Sequence, residues 1–198
     1  MGKVALVTGS SSGIGLETVL ALARDGYETF ASMRDVSKSA ELEYAAKKEN
    51  LKIKILELDV DKEKSIVLAI EKISSEHGRL DVLVNNAGYG NPGKFEETPW
   101  QSHQDFLQVM VTAVTELTYL FLPGMIKKQY GRIINLASLA PYMPAPDMAG
   151  LYSPVKIFQI KFSESIHFQY CDHNIHCSAV CPGLTRTEFH EAANMHEV

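Results

Sequence analysis

Cysteine is scarce in this chain of 198 residues. Its three copies, Cys171, Cys177 and Cys181, crowd into one late stretch. An odd, clustered few excludes a disulfide scaffold and suits a reducing, cytoplasmic setting. Positive charge is also in deficit, with 19 Lys and Arg against 24 Asp and Glu and a net charge of −5. The basic footprint that nucleic acid demands is therefore missing. No unbroken apolar run approaches the ~18 residues that span a bilayer, so no membrane helix is expected. At the amino terminus one lysine precedes only the short run Val4–Val7, which Thr8-Gly9 breaks, so no signal peptide is expected. What is present is a globular composition, 45% hydrophobic and 22% charged, of a size that suits one domain over residues 1–198.

Strand-length apolar runs alternate with helical patterns. Strands are expected at Lys3–Thr8, Tyr27–Met33, Leu51–Leu58, Leu80–Val84, Arg132–Ala137 and Ile175–Val180. Helices are expected at Gly13–Arg24, Ala40–Glu49, Lys62–His77, Pro99 to about Lys128, and Gly150–Tyr170. Gly78 marks the end of the third helix, and Pro99 suits the first turn of the fourth. This order implies right-handed βαβ crossovers: an α/β fold with a parallel six-stranded sheet and helices on both faces.

The first strand runs into Thr8-Gly9-Ser10-Ser11-Ser12-Gly13-Ile14-Gly15. Glycines at 9, 13 and 15 remove Cβ atoms where the turn is tight and the helix lies close to the sheet. The free N–H groups of the following helix then offer partial positive charge to a pyrophosphate. The spacing is a relative of the dinucleotide fingerprint.

Three more motifs follow in order: Asn85-Asn86-Ala87-Gly88, Tyr152-Ser153-Pro154-Val155-Lys156 and Pro182-Gly183. Together with the glycine turn they closely resemble the short-chain dehydrogenase/reductase family, over the whole chain. The resemblance implies a Rossmann-type doubly wound fold, a nicotinamide cofactor and hydride transfer between a carbonyl and an alcohol. It implies Ser138, Tyr152 and Lys156 as the catalytic set. Cofactor contacts are implied for Gly9, Ser11, Ser12, Gly13, Ile14, Gly15, Asp59, Val60, Asn86, Ala87, Gly88, Tyr152, Lys156, Pro182, Gly183 and Thr187. Tyr152 and Lys156 are spaced i, i+4 and share a helix face. A tyrosine with a pKa near ~10 is a poor base at neutral pH; an adjacent ammonium lowers it, and Lys156 together with a cationic nicotinamide ring is expected to supply the lowering.

Two departures from the family pattern stand out. Aligning Val109–Ala113 on the long fourth helix puts Met110 where the family has a relay asparagine, and no Asn lies between Gln101 and Tyr130. A thioether donates nothing, so the relay from Lys156 is expected to be broken or rerouted. The sequence also stops at Val198, before the family's substrate loop and seventh strand. A seventh strand is therefore expected to be missing, with the sixth strand at a sheet edge. These departures keep open a nucleotide-binding protein with little turnover, or an interaction module.

The end of the second strand selects the cofactor. It reads Met33-Arg34-Asp35. A guanidinium there suits a 2′-phosphate, so Arg34 favours NADP, with Asp35 as the rival feature for NAD. The expected partner is a small carbonyl or alcohol substrate. A homodimer is expected through the helices around 100–128 and 150–171. His173, His176 and Cys177 lack a second half for metal binding, and no metal is expected. Cys177 and Cys181 would be about 13 Å apart on a strand, too far for a disulfide.

Overall fold

The computed structural model describes residues 2–144 and 150–185. The strands are β1 (Val4–Val7), β2 (Glu28–Met33), β3 (Ile53–Glu57), β4 (Val82–Asn85), β5 (Gly131–Leu136) and β6 (Ile175–Val180). The helices are α1 (Gly13–Arg24), α2 (Ala40–Lys48), α3 (Glu63–His77), α4 (Trp100–Leu107), α5 (Ala113–Lys128) and α6 (Tyr152–Tyr170). All strand pairings are parallel, in the order β3-β2-β1-β4-β5-β6. The order reverses between β1 and β4, and ligands of doubly wound sheets bind at such a switch point.

Every residue of β1 and β4 is buried, as expected where helices cover both faces. Alternation along the strand sorts them. Val4 and Leu6 join Phe30, Leu83 and Ile133 against Ile66 and Ile73 of α3 and Leu117, Phe121 and Met125 of α5. Ala5 and Val7 join Ala31, Val82 and Val84 against Leu16, Val19 and Leu20 of α1 and Leu42 and Ala46 of α2. Truncating a large member such as Leu6 to alanine costs about 2–5 kcal/mol. Helix α3 ends where Gly78 adopts a left-handed φ of 62°, and its N–H closes on Ser74 O at 2.8 Å.

Two expectations change on the long helix. First, a π segment, Gln108–Thr112, separates α4 from α5. Second, the continuous stretch Trp100–Lys128 has 29 residues and a mean hydropathy of 1.6 in its most apolar window. By length and composition alone it is sufficient to cross a membrane, a property that buried core helices share. Its residues Leu117, Phe121 and Met125 lie in the protein core. Helix α6 begins at Tyr152 instead of Gly150, with Pro154 in its first turn, where a missing N–H costs nothing. Among the described residues β3 and β6 are the sheet edges.

Candidate active site

The glycine turn joins β1 to α1 at the C-terminal end of the sheet. Gly9 has a φ of 64°, and a Cβ built there would stand 2.7 Å from Ala87 Cα. Only glycine meets both demands. A Cβ on Gly15 would stand 2.5 Å from Asn86 Nδ2. Ser11, Ser12, Gly13 and Ile14 are half-buried at the opening of α1. The first turn of α1 contains no acidic residue. Its leading N–H groups therefore remain as uncompensated donors, which fit a pyrophosphate.

The Asn85–Gly88 loop is bolted to this turn. Asn86 Nδ2 donates to Thr8 O at 2.9 Å and to Gly9 O at 2.8 Å. The backbone N–H groups of Asn86 and Ala87 both donate to Thr8 Oγ1 at 3.0 Å. Gly88 is exposed on one side and on the other meets Met110, whose sulfur lies 2.6 Å from a Cβ built on that glycine. Met110 is fully buried, with Phe106 and Val155, and half-buried Tyr89 and Tyr152 pack against this cluster. At this position the sequence predicts a broken or rerouted relay, because a thioether donates nothing. In the structure the thioether packs beneath Gly88, and it is the Met110 carbonyl that reaches the site, accepting Gln159 Nε2 at 2.9 Å.

Ser138, Tyr152 and Lys156 come together at the ends of β5 and α6. Ser138 Oγ accepts Ala140 N at 3.0 Å, and its hydroxyl is near enough to the Tyr152 phenol to oppose the effect of burial on it. Lys156 Nζ lies 5.6 Å from the Tyr152 ring centroid. It donates to Leu136 O at 2.5 Å and to Gln159 Oε1 at 3.0 Å. The expected lowering of the Tyr152 pKa is not found. Burial pushes the phenol above its ordinary value, with the Ser138 hydroxyl opposing. The physical reason lies partly in the lysine. Burial holds Lys156 down to about 7, with Cys181 opposing, so its amine is not a permanent cation at neutral pH.

At the end of β2, Arg34 is exposed. Asp35 is engaged locally: its Oδ1 accepts Ser37 N at 3.0 Å and Ser37 Oγ at 2.6 Å, capping a short helical turn. These bonds hold its carboxyl below the usual range. Asp59 pairs with Lys62 at 2.9 Å, and Val60 is buried beside it. Pro182 and Gly183 follow β6. Pro182 O accepts Leu139 N at 3.0 Å, and Val180 O accepts Ala137 N at 2.8 Å, tying this turn to the Ser138 loop. Thr187 lies outside the described residues. Gln159 was missed by the sequence reading, although an amide three residues after Lys156, on the inward face of α6, was a usable signal.

Comparison with known proteins agrees with this fold. The pattern of the family described as short chain dehydrogenase matches residues 3–198. An uncharacterized oxidoreductase of Bacillus subtilis, YxjF, is 34% identical over 189 residues, covering 94% of this chain and 72% of that protein. A 3-ketodihydrosphingosine reductase of Bacteroides thetaiotaomicron is 32% identical over 197 residues, covering 99% of this chain and 69% of that protein. Among solved structures, a short-chain dehydrogenase from Sphingobium yanoikuyae in complex with NADPH superposes with a TM-score of 0.88 at 26% identity. It covers 97% of this chain and 75% of that one.

Proposed function

The chain belongs to the short-chain dehydrogenase family, and we propose that it is an NADPH-dependent reductase of a small carbonyl compound. The observation that carries this reading is the placement of the Lys156 amine 5.6 Å from the Tyr152 ring centroid, anchored on Leu136 O at the end of β5, two residues before Ser138. Bound at the glycine turn, the cofactor supplies the hydride. Ser138 orients the carbonyl oxygen. Tyr152 holds the proton that this oxygen takes up as it becomes a hydroxyl. A phenol pushed upward by burial stays protonated at neutral pH, which suits proton donation to the carbonyl oxygen.

The opening N–H groups of α1, between Gly9 and Gly15, would hold the pyrophosphate, Asn86, Ala87 and Gly88 would line the cleft, and Asp59 and Val60 would flank the adenine. Pro182 and Gly183, which follow β6, would line the nicotinamide side. Arg34 takes the 2′-phosphate. The engagement of Asp35 with Ser37 supports that choice, because a carboxylate spent on a cap is a poor partner for a free ribose hydroxyl. The NADPH bound by the Sphingobium yanoikuyae protein supports it as well. We propose self-association through α5 and α6, which expose the large apolar side chains of Tyr119, Leu120, Phe158 and Phe168.

The test is an NADPH titration followed by a panel of ketones and aldehydes, reading nicotinamide absorbance. Binding followed by carbonyl-dependent oxidation supports the reductase. Binding with no oxidation by any member of the panel replaces it with a nucleotide-binding role. Absence of binding defeats both.

A further inference from the structure

Lys156 is 6% exposed, so its amine must find polar partners inside the protein. An ammonium has three donors. One goes to Leu136 O and one to Gln159 Oε1. Gln159 is itself 2% exposed, and its amide is used at both ends: Oε1 accepts from Lys156 while Nε2 donates to Met110 O. Reversing the amide would set NH2 against amine and oxygen against carbonyl, so the two partners together fix its orientation. The Met110 carbonyl belongs to the π segment Gln108–Thr112, where the regular helical ladder is interrupted and a carbonyl can serve a side chain. Behind the amide, the Gln159 backbone oxygen accepts Ser163 Oγ at 2.7 Å. Ser163 Oγ in turn accepts Asn135 Nδ2 at 2.9 Å. The bridge is therefore anchored in the sheet.

We infer that Gln159 is a positioning residue: it holds the Lys156 amine in place and supports its protonated form by spanning from that amine to the π-segment carbonyl of Met110. The inference deepens the reductase reading, since it concerns the lysine that reading employs. Its physical content is simple. Gln159 Oε1 can only accept at this contact, and acceptors stabilise an ammonium over an amine. Two further titratable groups face Nζ, the Tyr152 phenol on α6 and the Cys181 thiol after β6. Both are left unchanged in the test.

The experiment is a pH titration of the lysine side chains by carbon-13 NMR in the full chain without cofactor. The Lys156 signal is assigned by its loss in Lys156→Arg. In Gln159→Leu the Lys156 midpoint falls by about 1 to 2 pH units, the effect of losing one hydrogen bond to a charged group. In Gln159→Glu, which keeps an acceptor and adds negative charge, the midpoint rises above that of the parent. Should Gln159→Leu fail to fold, the rise in Gln159→Glu carries the test alone. An unchanged midpoint in either folded variant overturns the proposal. The titration needs no turnover, so it stands apart from the reductase reading. Shifted midpoints without NADPH oxidation uphold Gln159 and defeat the reductase, and oxidation with unmoved midpoints does the reverse.

Discussion

Met110 lies directly beneath Gly88, its sulfur 2.6 Å from where a Cβ on that glycine would stand. One side chain of the long helix thus props the loop that flanks the proposed cofactor cleft. Truncating it leaves a cavity under Gly88. Met110→Ala is expected to lower stability by about 2–5 kcal/mol and to weaken NADPH binding, as measured by urea unfolding and cofactor titration. Met110→Leu, close in volume, should lose less than about 1.5 kcal/mol.

The glycine turn permits a sharper test. Gly9→Ala imposes a left-handed backbone on a residue with a Cβ, costing about 1–2 kcal/mol, and drives that Cβ into Ala87. We expect a lower melting temperature and loss of NADPH binding together. Retained affinity in a destabilised but folded variant would detach the turn from the cofactor.

Arg34 separates the two nicotinamide cofactors. Arg34→Ala removes an exposed cation at the end of β2, and its effect should fall on NADPH while NADH affinity hardly changes. Equal losses for both would assign the 2′ site elsewhere. Asp35→Asn should leave the preference intact, because that carboxylate is occupied by Ser37.

Tyr152→Phe removes the donor and retains the ring. A positioned general acid contributes about 100- to 10,000-fold, so kcat should drop by that order while NADPH affinity stays close to that of the parent. Stopped-flow reduction of an accepted carbonyl is the measurement.

Lys156 gives the protein a pH signature of its own. Its pKa is about 7 when folded, against the ordinary lysine value of 10.5. Between those values the unfolded chain binds the additional proton, so this residue makes stability rise as pH increases. Lys156→Met lacks that contribution. The parent-minus-variant difference in unfolding free energy, from urea melts of the protein without cofactor, should climb from about pH 7 toward pH 10. A flat difference would mean that burial does not depress the lysine.

The strands were legible because buried parallel strands read as short apolar runs. Lys3–Thr8 and Ile175–Val180 stand out even without neighbours, and the glycine turn is visible because its constraint is local. The π segment was not legible. Gln108–Thr112 contains neither proline nor glycine, and the interruption accompanies packing of Met110 against a loop distant in sequence. The direction of the Tyr152 pKa was misread for a related reason. Proximity can be read from i, i+4 spacing, but the burial that raises the phenol depends on Phe106, Val155 and the other neighbours gathered by the fold. Gln159 lay between these cases: its position on the inward helix face was readable, its partner on another helix was not.

The paired backbone bonds from Ala137 to Val180 and from Leu139 to Pro182 turn two loops into one clip. Ser138 sits inside that clip. A force that shifts the Pro182-Gly183 turn is therefore transmitted to the serine through two short struts.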